Sequence, residues 1–240
     1  MELYAYVACI TDLTAQAEAV IEMEADSESN YYEVISSNSS GTLLGCAYEL
    51  FQLVPLVSNL WQRRRNAGLS QEEPQIDNNK WLGHLEEGSA LHLQISSWRP
   101  PLGATPDFAN GGRLYQEALL AYLEMSTSDD ADLDVVTRTD VAMALLNDIP
   151  QNAPIAVTLY WPLSLFASIT NNLQYRKTIR QRFKQMYDDL GIGNILTIID
   201  FLDRLWGEQQ TTTALRKECP VQSTSLQSLT RKHGTDISFL

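Results

Sequence analysis

The sequence is poor in the residues that build metal centres and disulfide frameworks. Its 240 residues include three cysteines and three histidines, and no two cysteines stand at CxxC spacing. Structural zinc sites need closely spaced ligand pairs, and disulfide-stabilised domains carry more cysteines in even number. His84 and His92 are eight residues apart, whereas a metalloprotease helix has two histidines four residues apart. The sequence therefore predicts a reduced, intracellular protein with packed or surface histidines, no metal site and no cofactor.

Positive charge and long apolar runs are also scarce. The chain has 17 Lys and Arg against 30 Asp and Glu, which gives a formal net charge of −13. Binding along a phosphate backbone requires a surplus of Lys and Arg, so direct specific DNA binding by this chain is not expected. A membrane-spanning helix needs about 20 consecutive apolar residues, and no run of that length occurs. The sequence therefore predicts no membrane span.

Sustained strand-like alternation is absent as well, and apolar residues recur at helical spacing instead. This periodicity predicts an all-α fold, an irregular bundle of about seven to nine helices. Before residue 150 the predicted helices cover 2–23, 42–65, 79–98, the segment around 114–122, and 128–149. A kink is expected at Pro55, because proline disrupts a helix interior, and 103–112 is predicted to be a loop. We divide the chain into an N-terminal helix with an acidic linker (1–41), a helical domain (42–207), and a polar tail with an apolar end (208–240).

The stretch 160–206 is the strongest packing unit in the sequence. Its first part is apolar nearly all round after Pro162, a residue that fits a first helical turn, and this predicts a buried helix. An amphipathic helix over 174–189 follows, and Gly191 ends it because glycine tolerates the left-handed conformation. Asn194 is expected to cap the next helix. The apolar stripe of that helix consists of Ile195, Ile198, Ile199, Leu202, Leu205 and Trp206.

Three charged segments each allow a structural and a functional interpretation. The aspartate run at 129–132 suits a helix start; the magnesium motif of terpene cyclases would need a second metal-binding triad, which is missing. The arginine run at 63–65 is expected in the last turn of a helix, where cations complement the dipole. The basic residues of 176–184 either form a solvated helix face or follow a phosphate backbone, and the acidic chain favours the first. No nucleophile elbow is recognisable, so no catalytic residue is predicted.

Five aromatic residues are candidates for the wall of a ligand pocket. They are Trp98, Tyr115, Tyr122, Trp161 and Phe166. An aromatic wall with few polar groups is the lining expected of a cavity for an apolar ligand. The alternative is that these rings simply fill the core, which is the usual role of aromatic residues at helical spacing.

Several segments, taken in order, resemble the C-terminal regulatory domain of fungal-specific zinc binuclear cluster transcription factors. They are GTLLGCAYELFQLVPLVSNLWQRRR, ALHLQISSWRPP, RLYQEALLAYLE, ALLNDIPQNAPIAVTLYWPLSLFASI, RKTIRQRF, GNILTIIDFLDRLW and DISFL. The resemblance covers roughly 41–240. It implies an all-helical domain that regulates transcription, in some relatives by binding an apolar small molecule such as a sterol.

The chain departs from this family in lacking the six-cysteine cluster that binds DNA. The resemblance therefore implies a regulatory domain without its own DNA-binding domain, located in the nucleus or, alternatively, in the cytoplasm. Its expected partners are an apolar small-molecule effector, another protein, or a second copy in a homodimer. The less favoured alternative is an all-α enzyme of secondary metabolism on the same scaffold, acting on an apolar terpenoid or polyketide-like substrate.

Overall fold

Helices are the only regular elements in the ranges that the structure, a computed structural model, describes: residues 47–69, 78–127, 132–191 and 194–215. In chain order they are α1 (Tyr48–Phe51), α2 (Val54–Leu69), α3 (Asn78–Ser97), α4 (Pro106–Thr127), α5 (Asp132–Asp148), a 3-10 helix (Pro154–Thr158), α6 (Tyr160–Ile169), α7 (Leu173–Leu190) and α8 (Asn194–Leu215). Apart from the single turn α1 and the 3-10 helix, seven helices stand in these ranges. The predicted all-α class and helix number are confirmed. None of these helices is long and apolar enough to cross a membrane.

Helix α4 is the centre of the bundle. It packs against α2, α3, α5, α6 and the 3-10 helix, and from Leu114 to Ser126 nearly all of its side chains are buried. The apolar pattern of the sequence predicts this helix around Leu114, Tyr115, Ala118, Leu119 and Tyr122, and all five residues are buried. A helix buried on several sides is apolar around most of its circumference. The remaining helices are arranged around α4.

The helix predicted at 42–65 is interrupted where the sequence places a proline. The turn α1 ends at Phe51 and α2 begins at Val54, so that Pro55 lies in the first turn of α2. Proline is tolerated there because its missing N–H has no partner inside the helix. Residues 42–46 lie outside the described ranges. The predicted end at residue 65 is wrong, because α2 continues to Leu69 and the arginine run is not in its last turn.

The predicted loop at 103–112 is also wrong over most of its length. Helix α4 begins at Pro106 and passes through Gly111 and Gly112 without a break. Both glycines are contact points: a β-carbon would lie 2.4 Å from Ile155 Cγ1 at the first and 2.5 Å from Trp98 Cη2 at the second. Glycine allows a helix to approach its neighbours this closely. The pair therefore marks close packing in α4, although glycine in isolation disfavours a helix.

The three helices predicted in 160–206 are present. All residues of α6 from Tyr160 to Ser168 are buried, and Gly191 ends α7 in the left-handed conformation with φ 66°. In α8 the predicted apolar stripe is buried, except Ile199, which is partly buried. Helix α8 begins at Asn194, whose side chain is not described, and it continues to Leu215. The beginning of the predicted polar tail is therefore helical.

Several predictions fall outside the described residues. These are the helix at 2–23, the acidic linker up to 41, the segment 128–131 that contains most of the aspartate run, and the chain beyond 215. The proposed domain boundaries thus stay predictions. Within α3, Leu91 and Ile95 are buried, whereas Leu82 is 56% exposed.

Candidate functional site

Five aromatic rings from α1, α2, α4 and α6 form a continuous series of contacts, which we call the aromatic row. In order they are Trp61, Tyr122, Trp161, Tyr115 and Phe51, with successive ring centroids 5.7, 6.2, 6.1 and 4.8 Å apart. Tyr122 meets Trp161 edge-on, whereas Tyr115 stacks on it at an interplanar angle of 21°. Aromatic pairs prefer such edge-on and stacked arrangements at centroid separations of about 4.5–7 Å. The row therefore joins four helices through favourable ring contacts.

The local sequence explains why α4 contributes two rings to the row. Tyr115 and Tyr122 are seven residues apart, a spacing that puts both on one face of a helix. Trp161 of α6 contacts both tyrosines. The Tyr115 hydroxyl donates to the carbonyl oxygen of Thr158 at the end of the 3-10 helix. The row is thereby fixed to the segment that leads into α6.

The structure brings three of the five predicted pocket residues together. Tyr115, Tyr122 and Trp161 are in contact, but neither Trp98 nor Phe166 makes a ring contact with them in the described ranges. The Trp98 indole lies against Gly112. Phe166 is fully buried, yet it follows Trp161 by five residues and so lies about 140° away around α6. Whether these residues line a ligand cavity stays a prediction.

Sequence reasoning missed two members of the row, Phe51 and Trp61. Both lie on the apolar side of the helix predicted at 42–65, but ten residues separate them and the helix is interrupted between them. Their ring partners, Tyr115 and Tyr122, lie more than 60 residues further along the chain. Periodicity could place Phe51 and Trp61 in a core, but it could not identify those partners.

Four buried polar atoms near these helices have no hydrogen-bond partner among the described residues. They are Trp61 Nε1, Trp98 Nε1, Tyr160 Oη and Ser164 Oγ. Buried polar groups are nearly always satisfied in native proteins, so each exception calls for an explanation. Burial raises the pKa of Tyr160 to about 12. At neutral pH this residue therefore keeps its proton and can donate as well as accept a hydrogen bond.

The basic residues of α7 are mostly engaged within the protein. Arg176 is buried; its Nε donates to Thr170 O at 2.9 Å, and its guanidinium lies 5.5 Å from the ring centroid of Trp206. Arg180 pairs with Asp203 of α8 at 2.8 Å. Cations near the last carbonyl oxygens of a helix are favourable, and Thr170 directly follows α6. These two residues therefore join α7 to α6 and α8.

Arg182 makes a similar connection to α5. Its Nη2 donates to Leu146 O at 2.7 Å and to Ile149 O at 2.5 Å, at the end of that helix. Desolvation by burial lowers the pKa of both Arg182 and Arg176. Lys177 and Lys184 of the basic segment are exposed. The predicted solvated face thus holds for the two lysines, whereas three arginines of the segment contact neighbouring helices. The phosphate-backbone interpretation stays a prediction.

A second charged cluster connects α3, α4 and α5. Arg138 bonds to Glu117 at 2.9 Å and to Glu124 at 2.7 Å, and His92 Nε2 lies 3.6 Å from a Glu124 oxygen. His92 therefore contacts this network at the protein surface, and His84 is buried. Both fit the prediction of packed or surface histidines. The described residues contain no group of three or more side chains that could hold a metal ion.

Comparison with known proteins identifies the family of the chain. The fungal specific transcription factor domain matches residues 1–239. This match starts at residue 1, whereas the resemblance in the sequence starts at about residue 41. It includes no DNA-binding cluster domain. No curated protein and no solved structure matches the chain. Since the match covers almost the whole sequence, the chain belongs to the family of fungal specific transcription factor domains, and its role lies in the regulation of transcription.

Proposed function

We propose that this chain is an effector-binding domain of a fungal transcription regulator and acts in the nucleus. It has three cysteines, too few for a six-cysteine DNA-binding cluster, so promoter contact is left to a partner protein or to another part of the regulator. The effector is an apolar small molecule. The observation that carries the proposal is the aromatic row, which connects α1, α2, α4 and α6 within a domain of this family.

The position of the row supports a mechanism. Trp161 lies between two rings of α4, and through them it is connected to Phe51 and Trp61 on α1 and α2. A ligand that separated α6 from α4 would therefore change the packing of α1 and of α2 at the same time. A ligand shifts a conformational equilibrium only by its difference in affinity for the two states. The effector would bind more tightly to the arrangement in which α6 has moved.

The competing interpretation is that the row only fills the core. The two interpretations differ in the effect of Tyr122→Ala. In a filled core this truncation lowers the free energy of unfolding by about 3–5 kcal/mol, the range for buried aromatic residues. In a ligand-binding wall it changes stability much less and changes ligand affinity. Tyr187, a partly buried tyrosine of α7 outside the row, provides the control substitution.

The effector hypothesis is tested with protein purified from its own host. Native mass spectrometry of the chain should show a retained apolar compound, and Tyr122→Ala should lose that compound whereas Tyr187→Ala keeps it. In parallel, the chain is fused to an unrelated DNA-binding domain and assayed with a reporter gene, where the extracted compound should change expression. Protein that carries no compound and a reporter that does not respond to host extract would contradict the proposal. A fluorescent fusion that stays in the cytoplasm would contradict the nuclear location.

A further inference from the structure

Two buried hydroxyl groups lie one helical turn apart on α6. Tyr160 is 7% exposed and Ser164 is 1% exposed. Residues four apart lie on the same face of a helix, so both hydroxyl-bearing side chains project from one side of α6. Neither Tyr160 Oη nor Ser164 Oγ has a hydrogen-bond partner in the part of the chain that the structure describes.

The lack of a partner is unusual, because buried serines and threonines elsewhere in the bundle are satisfied locally. Ser126 donates to Leu123 O at 2.6 Å, Thr139 to Val135 O at 2.7 Å, and Ser168 to Leu165 O at 2.7 Å. Hydroxyls within helices commonly bond back to a carbonyl three or four residues earlier. Ser164 has equivalent carbonyl groups one turn earlier in α6, but its hydroxyl does not donate to them. Its hydroxyl is therefore available to a group from outside the helix.

The two hydroxyl-bearing residues are close to Trp161 along α6. At about 100° per residue, Ser164 lies about 40° from Tyr160 and about 60° from Trp161 around the axis of α6. Trp161 is the ring at the centre of the row, in contact with Tyr115 and Tyr122. A molecule bound along this side of α6 would therefore face Ser164, which lies between Tyr160 and Trp161 around the helix axis.

The composition of α6 indicates a neutral ligand. From Tyr160 to Ser168 every residue of α6 is buried, and apart from Tyr160 none of them is ionisable. Burial raises the pKa of Tyr160 to about 12, which keeps its hydroxyl uncharged. Taking a charged group out of water without a counter-ion is highly unfavourable. The oxygen of a carbonyl or hydroxyl group avoids this penalty and pairs with both side chains.

We propose that Tyr160 and Ser164 form a polar subsite that binds the carbonyl or hydroxyl oxygen of a neutral effector, whose apolar body packs against the aromatic row. This inference rests on the proposed effector-binding function and adds the chemical class of the ligand. It assigns the two hydroxyls to recognition and Trp161 to apolar contact.

The test uses two probes of nearly equal size, acetophenone and ethylbenzene, which differ in one carbonyl oxygen. Their dissociation constants are measured by calorimetry for the full chain and for the variants Tyr160→Phe, Ser164→Ala and the double variant. Each substitution removes a single oxygen that has no partner among the described residues, so the variants are expected to fold normally. Ser168→Ala is the matched control, because its hydroxyl already donates to Leu165 O.

The expected result is a change in the ratio of the two affinities. The double variant should bind acetophenone about tenfold more weakly, the loss expected for a buried hydrogen bond, and should bind ethylbenzene with unchanged or higher affinity. Ser168→Ala should leave the ratio unchanged. If both probes bind and the ratio is the same in the double variant, the hydroxyls take no part in recognition and the subsite is refuted, whereas the effector-binding function stands. Failure of both probes to bind the unmodified chain up to their solubility limits would contradict both.

Discussion

Replacement of Gly111 by alanine tests the packing of α4 against the 3-10 helix. A β-carbon at this position would lie 2.4 Å from Ile155 Cγ1 and 3.5 Å from Ile155 Cβ. Carbon atoms in favourable contact are about 3.5–4.0 Å apart, so Ile155 would have to move by about 1 Å. The atoms concerned lie close to the backbone of the 3-10 helix. Relieving the overlap therefore requires either a change of the Ile155 χ1 angle, which is stiff in a β-branched residue, or a shift of the whole segment.

Two opposing effects set the magnitude. Alanine in place of glycine within a helix is favourable by about 0.4–1 kcal/mol when the new methyl group meets nothing. Overpacking a well-filled core is unfavourable by about 1–3 kcal/mol. The second effect is larger at Gly111, and we expect the free energy of unfolding to fall by about 1–2 kcal/mol. Gly83 of α3 is the matched control, because a β-carbon there has no heavy atom within 4 Å. Gly83→Ala should raise the free energy of unfolding by about 0.4–1 kcal/mol.

Urea unfolding of the two variants and the unmodified chain, followed by circular dichroism, measures both effects. The midpoints should move in opposite directions with similar slopes, since the surface exposed on unfolding hardly changes. A stabilising effect of Gly111→Ala equal to that of Gly83→Ala would refute the close contact between α4 and the 3-10 helix. A destabilising effect at Gly83 would show that the exposed face of α3 is covered in solution.

Three further predictions concern the core, the buried tyrosine and DNA. Truncating either Trp161 or Trp206, two buried anchors of the last three helices, to alanine should lower the free energy of unfolding by about 3–5 kcal/mol in urea titrations; nearly unchanged midpoints for both would show that the packing unit is misplaced. Burial raises the pKa of Tyr160 from 10.0 to about 12. The stability that the protonated Tyr160 side chain contributes to the folded state is therefore fully present below pH 10. Between pH 10 and pH 12, Tyr160 ionises in the unfolded chain but stays protonated in the folded chain. About 2–3 kcal/mol of the free energy of unfolding should therefore be lost over this range. Tyr160→Phe should lack this loss when unfolding is compared at pH 9 and pH 11.5, and an equal loss in the variant would assign the effect to other groups. The chain alone, with its net charge of −13, should show no sequence-specific shift of duplex DNA in a mobility assay at physiological salt, and a specific complex at nanomolar protein would overturn this expectation.

The sequence alone determined those features that depend on one or two helical turns. Helix α6 is apolar nearly all round and is buried, and Gly191 ends α7 because glycine adopts a positive φ readily. The stripe of α8 follows from a period of 3.6 residues, and the pairing of Asp200 with Arg204 follows from their spacing of four. The family could also be recognised, because its segments occur in order along the chain.

The tertiary structure decided which distant groups meet. Gly111 and Gly112 suggest a loop locally, but Ile155 and Trp98 pack against them so closely that a helix with larger side chains would not fit. Arg182 belongs by pattern to a solvated face, yet the carbonyl oxygens at the end of α5, more than 30 residues away, bind it.

The aromatic row, too, depends on which distant helices meet in the tertiary structure. Periodicity could place Phe51 in a core, but its ring partner Tyr115 lies 64 residues further along the chain. Local propensities and hydrophobic periodicity act over a few residues, whereas the position of a ring or guanidinium in the bundle depends on how whole helices cross. That packing is specified by the sequence as a whole and cannot be read from any single segment.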